Sequence, residues 1–152
     1  MSAMAEVIPD SNSQSLQHFI SYSPFDEEEL KKQINEDVNN KIGGEEAGLL
    51  IDDSGTPKAG KSSAGVARQY CGKLGKVENC QVGVFATLAK GSSYAMVDAQ
   101  LYLPEEWAED KDRREEAGVP DNIEFKTKII LQDKLLNRLL VTPHTMGERF
   151  FY

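Results

Sequence analysis

What this 152-residue chain lacks narrows its class first. No apolar run approaches the roughly 20 residues that a bilayer-crossing helix needs. The opening stretch, MSAMAEVIPDSN, has no basic segment followed by an apolar one, so it does not read as a secretory signal. A cytoplasmic location is the expectation that follows. Cysteine is scarce: Cys71 and Cys80 cannot make a disulfide framework, and in a reducing compartment both stay thiols. Histidine is equally scarce, His18 and His144 lie far apart, and no Cys/His set has zinc spacing. There is no internal repeat and no long disordered tail. Basic residues are outnumbered 17 to 25, and the net charge of −8 argues against a protein that simply coats nucleic acid.

What is present suits one α/β domain. A hydrophobic fraction of 39% buries one modest core, and a charged fraction of 28% keeps the surface solvated. Residues 11–20, SNSQSLQHFI, predict a short helix, with Ser11 and Gln14 at capping-box spacing and Leu16, Phe19 and Ile20 on one face. Residues 23–44 predict a longer one. Ser23 suits its cap and Pro24 its first position; the acids Asp26, Glu27, Glu28 and Glu29 match the helix dipole. Leu30, Ile34 and Val38 would form its buried stripe, and Gly43 and Gly44 would end it.

Residues 47–53, AGLLIDD, read as a buried strand with two carboxylates at its exit. Residues 80–89 and 93–103 read as an antiparallel pair joined through Lys90, Gly91 and Ser92, with Tyr94, Met96, Asp98 and Gln100 sharing a face. Pro104 starts a polar helix closed by Gly118. Its one large apolar residue is Trp107, so it is expected to be peripheral. Residues 126–140 predict an amphipathic helix carrying Ile129, Ile130, Leu135, Leu136, Leu139 and Leu140.

Three features could carry chemistry. The first is Asp52–Asp53. A carboxylate on a rigid strand can bind a hard divalent cation, but neighbouring strand residues point to opposite faces, so only one of the pair can face a given site. An Asp-Ser-Gly turn is the plainer reading of the same residues. The second is Gly55–Ser62, GTPKAGKS, which matches the phosphate-binding pattern G-x-x-x-x-G-K-[ST] after a strand, with Lys61 as its lysine and Asp98 as a possible second acid. Against it stand Gly65, Gly72 and Gly75, which shorten any following helix, and the antiparallel character of the next strands. The third is the whole of residues 54–77, a glycine-rich stretch that carries Lys58, Lys61, Arg68, Lys73 and Lys76 and no acid. It suits sequence-independent phosphate contacts, and Tyr70 could stack on a base; a solvated loop balancing nearby acids is the competing reading.

The stretches DSNSQSLQHFISYSPFDEEEL, GLLIDDSGTPKAGKSSAGVARQYCGKLGKVENCQVGVF and LYLPEEWAEDKDRREEAGVP resemble bacterial insertion-sequence transposases of the DDE endonuclease superfamily, from about Met4 to Lys128. The resemblance implies an incomplete RNase H-like fold: antiparallel strands of a mixed sheet with flanking helices. Residues 1–45 would be a helical segment leading into a partial catalytic domain over residues 46–152. In that family three acids, Asp, Asp and Glu, hold two metal ions that cut transposon ends and join them to target DNA.

The first acid lies on the first strand, which assigns it to Asp53, with Asp52 the alternative. The resemblance also makes Lys58, Lys61, Arg68, Lys73 and Lys76 candidate DNA contacts. The implied cofactor is Mg²⁺ or Mn²⁺, held by Asp53 and expected to bind weakly. The implied partners are transposon-end and target DNA, with self-association or pairing with a full-length transposase. The second Asp belongs on a strand that would begin near Val141, where the text reads VTPHTMGERFFY with Glu148 as its only acid. The expectation is therefore a chain that lacks the second and third acids and is inactive alone. A nucleotide-binding protein using Gly55–Ser62 and a non-catalytic DNA-binding module are the alternatives.

Overall fold

The computed structural model describes residues 2–24 and 26–141, which form two compact units divided between Lys32 and Gln33. The first holds α1 (Ser2–Val7) and α2 (Ser13–Tyr22). Asn12 caps α2, not Ser11. Its side chain accepts from the amides of Gln14 and Ser15, and the Ser15 hydroxyl oxygen accepts from the Asn12 amide. Phe19 and Ile20 are exposed. The next helix, α3 (Glu27–Ile42), begins later than the Ser23-Pro24 reading implied: Ser23 ends α2, and the Asp26 carboxylate accepts from the amides of Glu28 and Glu29. Its expected stripe is only partly buried. Leu30 and Ile34 remain 46% and 42% exposed, while Val38 and Ile42 pack against the core.

The second unit is built on four antiparallel strands, β1 (Gly48–Pro57), β2 (Ala67–Cys71), β3 (Lys76–Lys90) and β4 (Ser93–Leu101). β3 is central. β1 pairs along one of its edges, while β2 and β4 pair with its first and second halves. The period-two pattern of β3 decides its faces. Cys80, Val82, Val84, Ala86 and Leu88 are buried, and the residues between them are half-buried. A two-residue turn, Gly91-Ser92, joins β3 to β4, with positive φ at Gly91 only, as a type II′ hairpin requires.

Helix α6 (Lys128–Val141) covers the buried face, packing Leu131, Leu135 and Leu139 on Val84, Ala86, Leu88 and Val97. This corrects the expected stripe. The residues that face the sheet are spaced four apart from Leu131, whereas Ile129 and Ile130 are 69% and 45% exposed. The side chain of Leu140 lies outside the described residues, as does the whole of 142–152, with His144, Glu148 and the strand expected there.

Two further expectations change. The polar helix divides into α4 (Glu105–Glu109) and α5 (Lys111–Glu116), and Trp107 is fully buried, donating its indole N–H to the Val66 carbonyl at 2.8 Å. A lone tryptophan on a charged helix is thus an anchor rather than a sign of loose attachment. The glycine-rich basic stretch is also not one loop. It contains the end of β1, all of β2, a 3₁₀ turn at Gly72–Leu74 and the start of β3.

Candidate functional site

Asp52 and Asp53 lie inside β1, not at its exit, because the strand continues through Pro57. The Asp-turn reading therefore fails. Alternation separates the two carboxylates. Asp53 is level with Val84 on the face covered by α6, and Asp52 is level with Phe85 on the open face. Among the described residues, Asp52 Oδ1 accepts the adjacent Asp53 amide alone, at 2.8 Å.

Asp53 meets Lys128, the first residue of α6, with Nζ donating to Oδ2 at 2.8 Å; both side chains are about one-third exposed, at 34% and 30%. A helix N-terminus disfavours a cation, so the Asp53 carboxylate offsets the charge that the Lys128 ammonium brings to the start of α6. That ammonium also sits 5.5 Å from the Tyr102 ring centroid. Lys128 was not singled out by sequence reasoning, since a lysine opening an amphipathic helix carries no pattern of its own.

A second acid reaches the same face by an irregularity. The register of β3 and β4 shifts between Ala86 and Thr87, so Met96 pairs with Thr87 and Asp98 with Ala86, leaving Val97 as an extra residue. The expected shared face of Tyr94, Met96, Asp98 and Gln100 is broken there. Tyr94 and Met96 stay exposed, while Asp98 turns inward and pairs with Arg138 of α6 at 2.5 Å.

Both inward acids are thus held by cations of one helix. A divalent metal needs several oxygen ligands, and among the described residues no group of three or more His, Cys, Asp or Glu is placed to hold one. Asp53 offers a single carboxylate whose close charged neighbour is an ammonium, so the described residues do not by themselves fit a metal site.

The Gly55–Ser62 pattern does not form a nucleotide loop. Gly55 is buried within β1, where a Cβ would come within 3.2 Å of Cys71 Sγ, so this glycine serves a close strand approach. The Cys71 thiol donates to its carbonyl at 3.4 Å. No helix follows Ser62; the chain turns into β2. Asp98, the acid proposed to complete that site, is engaged by Arg138.

The five expected cations separate as well. Lys76 pairs with Glu78 at 3.2 Å. The Asn79 amide, and after it the Lys76 ammonium, hold the Glu78 carboxyl below its ordinary value. Lys58, Lys61, Arg68 and Lys73 form no ion pair among the described residues. Lys58 and Lys61 belong to the β1–β2 loop, Arg68 to β2 and Lys73 to the 3₁₀ turn. Sequence reasoning missed three side chains that brace the loop, Asn79, Gln81 and Arg113, and gave the fourth, Trp107, a peripheral place. Asn79 and Gln81 are polar residues on β3, and Arg113 is one of several charged residues on α5, all of them ordinary in sequence.

An antiparallel four-stranded sheet with flanking helices, carrying an acid on its first strand, is a mixed α/β domain compatible with part of an RNase H-like fold. The family model described as "DDE superfamily endonuclease" matches residues 1–145, and the chain belongs to that family. It is also 37% identical over 81 residues to a protein of Microchaete diplosiphon named "Probable transposase for insertion sequence element IS701". That match covers 53% of this chain and 21% of the relative, so the chain spans about a fifth of the relative's length. No solved structure matches. Divalent metals are general to DDE endonucleases. No helix among the described residues is long and apolar enough to cross a membrane.

Proposed function

We propose that this chain is part of a transposase catalytic domain that works on DNA, with Asp53 as the acid of its first strand. The observation that carries the reading is the position of Asp53 in mid-β1, facing the helix that covers the sheet, in a chain that matches the family over residues 1–145. Asp52 is disfavoured because its carboxylate points to the open face and accepts its neighbour's amide. Mg²⁺, or Mn²⁺ in its place, is the proposed ion. Asp53 would contribute one carboxylate to a site completed by acids other than the described ones. The unpaired cations Lys58, Lys61, Arg68 and Lys73 are proposed to contact phosphates of transposon-end or target DNA, with Lys76 contributing less because Glu78 already neutralises it.

Self-association, or pairing with a full-length transposase, belongs to the same proposal. Among the described residues β1 forms a ladder with β3 only, and the open face of the sheet exposes Leu50 of β1 and, across β3, Met96 and Tyr94 of β4. Light scattering of the purified chain tests this part, and a monomer at all accessible concentrations would remove it.

The primary test incubates the chain with labelled duplex DNA, with and without Mg²⁺ or Mn²⁺, beside Asp53→Ala. Binding that weakens as salt rises, without cleavage, is the expected result. No binding at low salt refutes the DNA reading. Metal-dependent nicking that Asp53→Ala abolishes would mean that the site is completed within an assembly of this chain, and nicking that survives the substitution would remove Asp53 from the role.

A further inference from the structure

We propose that the β1–β2 loop, residues 58–66, is a phosphate-binding loop whose donors are its own backbone amides, and that its ligand is a phosphodiester of a DNA duplex. This deepens the DNA-binding reading above and rests on it.

The argument begins with where the loop's backbone groups go, since each residue brings one donor and one acceptor. The body of the domain captures the acceptors. Asn79 Nδ2 donates to the carbonyls of Lys58 and Gly60 at 2.7 and 2.8 Å. Arg113 Nη2 donates to those of Lys61 and Val66, both at 3.0 Å, and the Trp107 indole joins it on Val66. Gln81 Nε2 donates to Ala64 at 2.8 Å and Gln69 Nε2 to Gly65 at 3.3 Å. The Ser63 carbonyl accepts from the Val66 amide. Only the carbonyls of Ala59 and Ser62 take no part.

The donors are treated in the opposite way. The amides of Ala59, Gly60, Lys61, Ser62 and Ser63 donate to nothing within the described residues, and all five residues are exposed. The loop is therefore a braced stretch most of whose acceptors are consumed and whose donors at Ala59–Ser63 are free, a local excess of positive partial charge of the kind that binds anions. Lys58 and Lys61 add full charges, and the hydroxyls of Ser62 and Ser63 add further donors.

The bracing fixes this arrangement. Arg113 stacks at 3.9 Å over the Trp107 ring, so the two donors to Val66 hold each other. Gly65 has φ +74, and a Cβ there would lie 2.7 Å from the Tyr102 carbonyl, so the loop sits tight on the sheet. The carboxylate engaged with these braces is Glu106, which pairs with Arg113 at 3.5 Å, and no acid interrupts residues 54–77. A phosphodiester suits the site better than a mononucleotide. The free donors run along an open loop beside the unpaired Arg68 and Lys73 in sequence, with no helix to receive a terminal phosphate.

The test is an amide-resolved NMR titration of the full chain with a short DNA duplex, inorganic phosphate and ATP, beside anisotropy of the same labelled duplex. The expected result is a saturable downfield shift of the Ala59–Ser63 amides with duplex, reversed by salt. Asn79→Ala, which keeps every cation, is expected to weaken duplex binding severalfold, and Lys58→Ala/Lys61→Ala to lower the salt slope by about 2. Duplex binding by anisotropy with unmoved loop amides overturns the loop proposal and leaves the DNA reading standing. Absence of duplex binding in both measurements removes both. Shifts with phosphate or ATP but none with duplex also overturn it, in favour of a small-anion site.

Discussion

The two faces of the sheet are made by the same strands, yet they differ in almost every property. On one, Val84, Ala86 and Leu88 alternate into a core closed by Leu131, Leu135 and Leu139, and Asp53 and Asp98, which point there, each have a cation from α6. On the other, Leu50, Met96 and Tyr94 are exposed. A groove of about 220 Å³ there runs past Ser54, Thr56, Gln81 and Phe85. Asp52 and Asp53 are adjacent in sequence and chemically identical, and only the pleat assigns them to different faces. The difference teaches that position on a strand, more than residue type, decides whether an acid is a candidate for chemistry.

The comparison is broken most directly by removing one leucine from each face. Leu135→Ala deletes a fully buried side chain and is expected to cost about 2–5 kcal/mol in chemical denaturation. Leu50→Ala, 56% exposed, should change stability by no more than about 0.5 kcal/mol. Equal losses would mean that the open face is covered in solution.

The next effect concerns the inward acids. The Asp98 side chain is 5% exposed and its partner Arg138 49%. Arg138→Ala withdraws a charged partner from a buried carboxylate, an expected loss of about 1–3 kcal/mol. The double variant with Asp98→Asn should recover part of it, because the buried charge goes too. A double variant no better than the single would show that Arg138 acts through packing alone.

Much of the fold was legible because it rests on patterns of burial. The strand over residues 80–89, the turn at Gly91 and the helix that begins near Lys128 follow from apolar content, period and turn chemistry, whereas the alternation expected along 93–103 is broken by the bulge. What escaped reading depended on tertiary context. β2 is five residues long, its Cys71 and Ala67 are buried against β1 and β3, and its Arg68 and Tyr70 face solvent, so locally it looks like any polar linker. The bulge at Val97 reverses the side of Asp98 without a glycine or proline to announce it. The match to a nucleotide loop, kept only as an alternative, is a coincidence of spacing: Gly55 answers a steric demand made by Cys71, 16 residues away. Of the candidate site, Asp53 could be named from resemblance, but its ion pair with Lys128 needed the sheet and helix to be in place.

Buried thiols give a smaller, pH-dependent effect on the covered face. Burial, with the Cys71 thiol beside it, pushes the Cys80 thiol above its ordinary value. The folded state therefore disfavours the thiolate, and the stability this represents is complete below the ordinary thiol value. It is lost as pH rises through that value towards the folded one. Stability measured across the alkaline range should fall for the native chain and fall less for Cys80→Ala. Parallel curves would show that the burial has no titration consequence. Alkylation should likewise be slow in the folded protein and fast in denaturant.

The smallest expected effect separates the two adjacent aspartates. Asp53 and Lys128 are each about one-third exposed, so their ion pair is screened and contributes up to about 1 kcal/mol. Asp53→Asn should lower stability within that range, and Lys128→Met by a similar amount. The double variant should cost little more than either single, since the pair is lost once. Asp52→Asn should be neutral, because the Asn oxygen can still accept the Asp53 amide. The reverse ranking would place the structural charge on the open face. The modest size of the Asp53 effect is itself informative. An acid that contributes little to folding is one whose position in mid-strand is not explained by stability, so any metal-dependent nicking that a stably folded Asp53→Asn protein loses could be assigned to the site rather than to the fold.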